Sequence, residues 1–187
     1  MAKKKIVLVP KRRKREGRTD YRKRLFLLKG RKSRVVIRKS LNSVLVQLVQ
    51  YQAIGDKVLA TISSTILSEH GWKYKKNNLP ACYLTGLLMA KKAKELGVKE
   101  AIADIGLQPS VKGNKLYAVV KGLLDGGLQV PSSKEVLPSM DRISGKHIQQ
   151  YYSQQKEGVQ FQAYRKMQVT PELIVKDFEQ VKKKIMG

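Results

Sequence analysis

This sequence is poor in the groups on which most enzymes rely: one cysteine, two histidines and 14 acids among 187 residues. A lone Cys82 excludes an internal disulfide and a cysteine-rich metal site, and it fits a reducing, cytoplasmic interior. His70 and His147 stand far apart in the chain, neither in a metal-ligand spacing, and Cys82 has no neighbouring base to activate it. Neither G-x-G-x-x-G nor a Walker lysine motif occurs, so Gly106 and Gly113, between an apolar strand and a helix, read as turn residues. No catalytic residue, metal or cofactor is therefore expected. No stretch approaches the roughly twenty apolar residues of a membrane-spanning helix, so no membrane partner is expected either. Lys3-Lys4-Lys5 followed by Ile6-Val7-Leu8-Val9 faintly imitates a secretory signal. The apolar run is short, lacks a small-residue cleavage site and meets Pro10, and it reads as a mature N-terminus.

What the chain does have is positive charge. Lys and Arg number 39, for a formal net charge of +25, and the first thirty-nine residues hold eighteen of these bases against two acids. Such a segment repels itself unless a polyanion neutralises it, and phosphate is the natural neutraliser. Arg outnumbers Lys from Arg12 to Arg24. Guanidinium forks suit bidentate phosphate contacts and stacking on unpaired bases better than ammonium does. Tyr21 and Phe26 can either stack on bases or pack the helix they sit in. The composition fits an arm that orders on structured RNA, and it lacks the broad apolar face that a membrane-surface helix needs. The remaining chain is also basic, so a second basic surface is open.

Periodicity sketches an α/β fold. Thr19 to Lys29 has helical spacing, with Thr19 or Asp20 as its cap. Arg34 to Lys39, Val44 to Val49 and Lys57 to Ile62 alternate with period two, and turn residues separate them at hairpin lengths, so three sequential antiparallel strands are expected. A helix from Pro80 to Gly97, a short buried strand over Ala101 to Ile105 and a helix through Leu116 to Leu124, stopped by Gly126-Gly127, complete a strand-helix-strand-helix unit. That order implies helices on a mixed, partly parallel sheet. Beyond Pro131 one short helix is expected around Gly145 to Tyr152, and a last one from Thr170-Pro171-Glu172. The expected division is a basic N-terminal extension over 1–30, an α/β core over 31–130 and a helical C-terminal extension over 131–187.

The segment Arg13-Lys14-Arg15-Glu16-Gly17-Arg18-Thr19-Asp20-Tyr21-Arg22-Lys23-Arg24-Leu25 resembles the opening of the archaeal large-subunit ribosomal protein eighteen family. Further blocks follow in the family's order. They include Gly71-Trp72-Lys73, Ala81-Cys82-Tyr83-Leu84-Thr85-Gly86-Leu87-Leu88, Asp104-Ile105-Gly106-Leu107, Lys121-Gly122-Leu123-Leu124-Asp125-Gly126-Gly127-Leu128 and Gly145-Lys146-His147-Ile148. The resemblance implies a non-enzymatic structural protein that binds 5S ribosomal RNA and helps seat it in the central protuberance of the large subunit. Its partners would be 5S and large-subunit ribosomal RNA and neighbouring ribosomal proteins. Carried over residue by residue, it makes Arg12, Arg13, Arg15, Arg18, Tyr21, Arg22 and Arg24 the leading RNA contacts, joined by Arg34, Arg38, Lys39 and Ser40. Lys112, Gly113, Asn114 and Lys115 offer either a further phosphate site at a helix start or a solvated turn. A rival reading takes Asp104, at a strand end, as the metal-holding acid of an RNA- or nucleotide-processing enzyme; its plain alternative is a loop-fixing aspartate.

Overall fold

The computed structural model describes residues 9–154 and 159–187. The Lys3-to-Leu8 stretch weighed above as a signal lies outside the described residues. A single helical turn, α1 (Arg12–Arg15), precedes α2 (Tyr21–Lys29). Of the two caps the sequence offered, Asp20 takes the role: its carboxylate accepts from the backbone N–H of Arg22 and Lys23. Three antiparallel strands follow, β1 (Ser33–Lys39), β2 (Val44–Gln50) and β3 (Lys57–Ser63). They agree with the period-two segments, and β1 and β2 bury alternate side chains: Val35 and Ile37 of β1 face the core beside Val46 and Leu48 of β2, whereas the edge strand β3 fully buries none.

After β3 the chain makes a 3-10 turn (Ser64–Ser68) and a loop that buries Trp72 and Tyr74. It then enters α3 (Leu79–Glu95), whose first turn is capped by Asn78, the side chain accepting from Ala81 N–H at 2.9 Å. Strand β4 (Ala101–Asp104) lies parallel to β1, with Val36 opposite Asp104, so the sheet order is β3-β2-β1-β4. The parallel pair requires a crossover, and α3 supplies it. Helix α4 (Lys115–Asp125) buries Leu116, Val119, Val120 and Leu123 and crosses α3 where Gly86 meets Gly122. Helices α3 and α4 cover one face of the sheet; α2 lies against the other, where Gly30 approaches the Ile102 side chain.

The single short helix expected around Gly145 is in fact two, α5 (Met140–Ser144) and α6 (Lys146–Gln154). Gly145 caps the first in the left-handed region at φ 90°, which turns the chain before it resumes as a helix. Helix α7 (Gln162–Lys166) had no clear signal in the sequence. The last helix, α8 (Ile174–Met186), follows a 3-10 turn at Pro171–Leu173, as the Thr170-Pro171-Glu172 start predicts. Its Ile174, Phe178, Val181 and Ile185 enter the same core as α3: the Phe178 ring lies 5.6 Å from that of Tyr83. Tyr74 ties the start of α8 down by donating to Asp177 Oδ2 at 2.9 Å. No described helix is long and apolar enough to cross a membrane.

Candidate nucleic-acid interface

The basic arm is anchored to the carboxyl end of the β1–β4 pair. Because side chains alternate along a strand, Arg34 and Arg38 of β1 project from the face opposite Val35 and Ile37, toward α2. Arg34 is 1% exposed, and its guanidinium donates to Asp56 Oδ2 at 2.6 Å and Asp104 Oδ2 at 3.1 Å. Asp56 Oδ2 also accepts from Arg24 at 2.8 Å, which fastens α2 to the β2–β3 loop. Asp104 Oδ1 accepts from Arg38 at 3.1 Å and from Gly106 N–H at 2.9 Å, while Arg38 donates to the Asp104 carbonyl at 2.7 Å. Arg24, Asp56, Arg34, Asp104 and Arg38 thus form one alternating chain, three guanidiniums to two carboxylates, running from the arm to the sheet.

Above this chain is a cleft of about 480 Å³ lined by Arg13, Arg18, Tyr21, Lys23, Arg24 and Arg38, with Asp20, Asp56 and Asp104 on its floor and wall. Lys23 closes one side by donating to the Gly106 carbonyl at 3.1 Å. The arm folds back over the other: Arg13 Nε donates to Thr19 Oγ1 at 2.9 Å, and Glu16 sits between Arg12 and Arg18 at 3.4 and 3.2 Å. Lys11 places its ammonium 4.7 Å from the centre of the Tyr21 ring, so that ring already has a cation on it. Phe26 is 70% exposed on the outer side of α2, with the Lys29 ammonium 5.1 Å from its centroid.

The sequence-predicted residues therefore separate into four sets. Arg12, Arg15, Arg18 and Arg22 point to solvent. Arg13, Tyr21, Arg24 and Arg38 join Arg18 around the cleft. Lys39, Ser40 and the Lys112-to-Lys115 turn lie away from the arm; Ser40 closes the β1–β2 turn by hydrogen bonds to Ser43, and Lys112 is 3.6 Å from Glu135. Arg34 is a correction: expected among the RNA contacts, it is buried with both terminal nitrogens on carboxylates and acts beneath the surface as a positioning residue. Asp56, in the turn before β3, carries no local signal of this role in the sequence. An arginine leading directly into the apolar run Val35-Val36-Ile37 was the available signal that an acid had to meet it.

Asp104 is the loop-fixing aspartate of the plainer reading. Both its oxygens are occupied by Arg34, Arg38 and Gly106, and among the described residues no three histidine, cysteine or acidic side chains are grouped to hold a metal. Gly106 and Gly113 have φ of +63° and +68°, as turn glycines do. Cys82 is buried in α3, and desolvation pushes its thiol up to about 12, so it is no nucleophile.

Asp104→Ala is expected to cost about 3 kcal/mol, because it leaves the buried Arg34 with half its counter-charge and Gly106 N–H without its acceptor. Denaturant midpoints measure this, and a loss under about 1 kcal/mol would mean that the chain of charges is not holding the fold. The same chain carries an acid dependence. Burial raises the Asp56 carboxyl, but hydrogen bonds and charge from Arg24 and Arg34 outweigh it and leave it below its ordinary value. Its contribution is therefore complete above the ordinary carboxylate range and is lost as pH falls below about 4.

Similarity to known proteins agrees with this geometry. The family profile described as "Ribosomal large subunit proteins 60S L5, and 50S L18" matches residues 7–102, which include the arm, β1 to β3, α3 and the first two residues of β4. The large ribosomal subunit protein uL18 of Korarchaeum cryptofilum is 48% identical over 178 residues, covering 93% of this chain and 91% of that protein. These matches rule out the enzymatic reading of Asp104, and they place the protein in the cytoplasmic ribosome. A basic arm pinned to a small α/β core, matched over nearly its full length by an archaeal large-subunit protein, makes this chain a member of the ribosomal L5e/L18 family and a structural constituent of the large ribosomal subunit.

Proposed function

We propose that within the large subunit this protein binds 5S ribosomal RNA and helps seat it in the central protuberance, beside large-subunit ribosomal RNA and neighbouring proteins. The observation that carries the reading is a dense set of guanidiniums displayed from a rigid base. Arg12, Arg13, Arg15, Arg18 and Arg22 are exposed on the arm, and the Asp56–Arg34–Asp104 chain, buried at Arg34 and Asp104, fixes Arg24 and Arg38 behind them. Arginines so fixed meet a phosphate backbone with little side-chain entropy left to lose, and phosphate contacts set the register of a protein on its RNA. Tyr21, Lys39, Ser40 and the turn Lys112, Gly113, Asn114, Lys115 extend the surface; Arg34 supports it from below. The three segments 1–30, 31–130 and 131–187 then divide the work into an RNA-binding arm, a core that carries it and an extension for neighbouring components.

The test is an electrophoretic titration against cognate 5S RNA and an unrelated structured RNA of equal length. Saturable binding that prefers the 5S RNA at physiological salt is the expected result. Equal binding to both, vanishing together as salt rises, would leave only a generic polycation.

A further inference from the structure

Consecutive residues at the end of β1 serve opposite faces of the sheet. Arg38 enters the arm cleft, whereas Lys39 has the parity of Val35 and Ile37 and projects toward α3 and α4. There a second groove, of about 330 Å³, lies between the starts of α3 and α4 and is lined by Asn77, Asn78, Asn114, Lys115, Arg142 and His147, among others. Asn77 fixes the β1–β2 turn to the groove, donating to the carbonyls of Ser40 and Leu41 at 2.7 and 2.9 Å.

The groove is chemically one-sided. No carboxylate lines it, and among the described residues Lys39, Lys115 and Arg142 have no ion pair. The acid nearest in sequence, Asp141, is taken up by Lys146 at 2.6 Å. The buried Nδ1 of His147 has no hydrogen-bond partner within the described chain. No side chain caps the start of α4, which points free amide groups into the same space. The half-buried Lys115 of α4 and the exposed Arg142 of α5 and Lys39 of β1 gain no counter-charge from the described chain, and an RNA backbone phosphate supplies one.

We infer that this groove is a second RNA phosphate site, with Lys115 and Arg142 as its principal contacts and Lys39 at its rim, so that RNA engages both faces of the carboxyl end of the β1–β4 pair. The inference rests on the RNA-binding reading above but not on which RNA is preferred.

The test compares two double variants of the full chain, each removing two positive charges. Lys115→Gln/Arg142→Gln empties the groove; Lys94→Gln/Lys99→Gln alters the opposite end, near the end of α3 and the start of β4. Binding to 5S ribosomal RNA and to an unrelated structured RNA is followed across a salt series. The groove pair is expected to weaken binding roughly tenfold and to reduce the slope of log affinity against log salt by about 2, one for each contact; the distal pair should leave the slope nearly unchanged. Lys39→Gln alone should lower it by about 1. Equal changes in the two pairs would overturn the groove. Because neither Lys115 nor Arg142 holds another described side chain, matching melting curves are expected, and the single variants replace any double that melts early. If wild-type protein favours neither RNA, the 5S assignment falls while the groove is still read from the slopes. If 5S RNA is favoured and the groove pair behaves like the distal pair, the groove falls alone.

Discussion

Gly122→Ala is expected to destabilise the protein by on the order of 3 kcal/mol, although alanine is the better helix former by about 1 kcal/mol. The opposing signs make the experiment decisive. Helices α3 and α4 touch backbone to backbone at this point: a Cβ on Gly122 would stand 2.2 Å from the Tyr83 carbonyl oxygen, and one on Gly86 would stand 2.3 Å from that of Val119. Neither obstacle is a flexible side-chain end, so the methyl group is accommodated only if the helices move apart. That movement loosens Leu84, Leu87, Leu116 and Leu123, all buried in the core they share. At about 2–4 °C per kcal/mol for a chain of this size, the melting temperature should fall by roughly 6–12 °C. Gly55→Ala is the control. Nothing lies within 4 Å of its Cβ position, so the change should be neutral or slightly stabilising. A Gly122→Ala protein that melts at or above wild type would refute the close-crossing account.

The second large effect is on RNA. If the arm, cleft and groove together meet roughly six to ten phosphates, affinity should fall by about three to five decades between 50 mM and 200 mM salt. Replacing Arg13, Arg15 and Arg22 by Gln should reduce the slope by about 3 while the unfolding midpoint stays put. Arg24 is left out because it is tied to Asp56, and its loss would disturb the buried Arg34 along with any RNA contact. A nearly flat salt response, or unchanged binding by the triple variant, would remove the arm from the mechanism. The choice of residues here is a product of the fold: Arg24 and Arg22 look alike in the sequence and differ only in what they touch.

Much of the architecture was legible from local chemistry. The alternation in Arg34-Val35-Val36-Ile37-Arg38-Lys39 and in Val44 to Val49 predicts β1 and β2 within a residue of their observed bounds. Pro80 and Gly97 bracket α3, and Thr170-Pro171-Glu172 announces α8, because caps and turns depend on neighbours a few residues away. The signals weakened where the local rule was overridden. Gly145 divides what looks like one short helix, and α7 lies in a polar stretch whose helical pattern is brief.

Composition by itself determined the kind of partner: a surplus of lysine and arginine over acid needs phosphate whatever the fold, and one cysteine with two histidines leaves little for catalysis. The tertiary structure alone decided which arginines remain free to bind. Arg34 meets Asp56 and Asp104, which lie 22 and 70 positions away in sequence, and no spacing rule reaches across that distance. The strand pleat sends Arg38 and Lys39 to opposite faces, and the parallel pairing of β1 with β4 brings Gly106 and Asp104 under the arm. Periodicity and charge are properties of a segment, so the sequence carries them; burial and ion pairing are properties of two segments that meet, so only the folded chain assigns them.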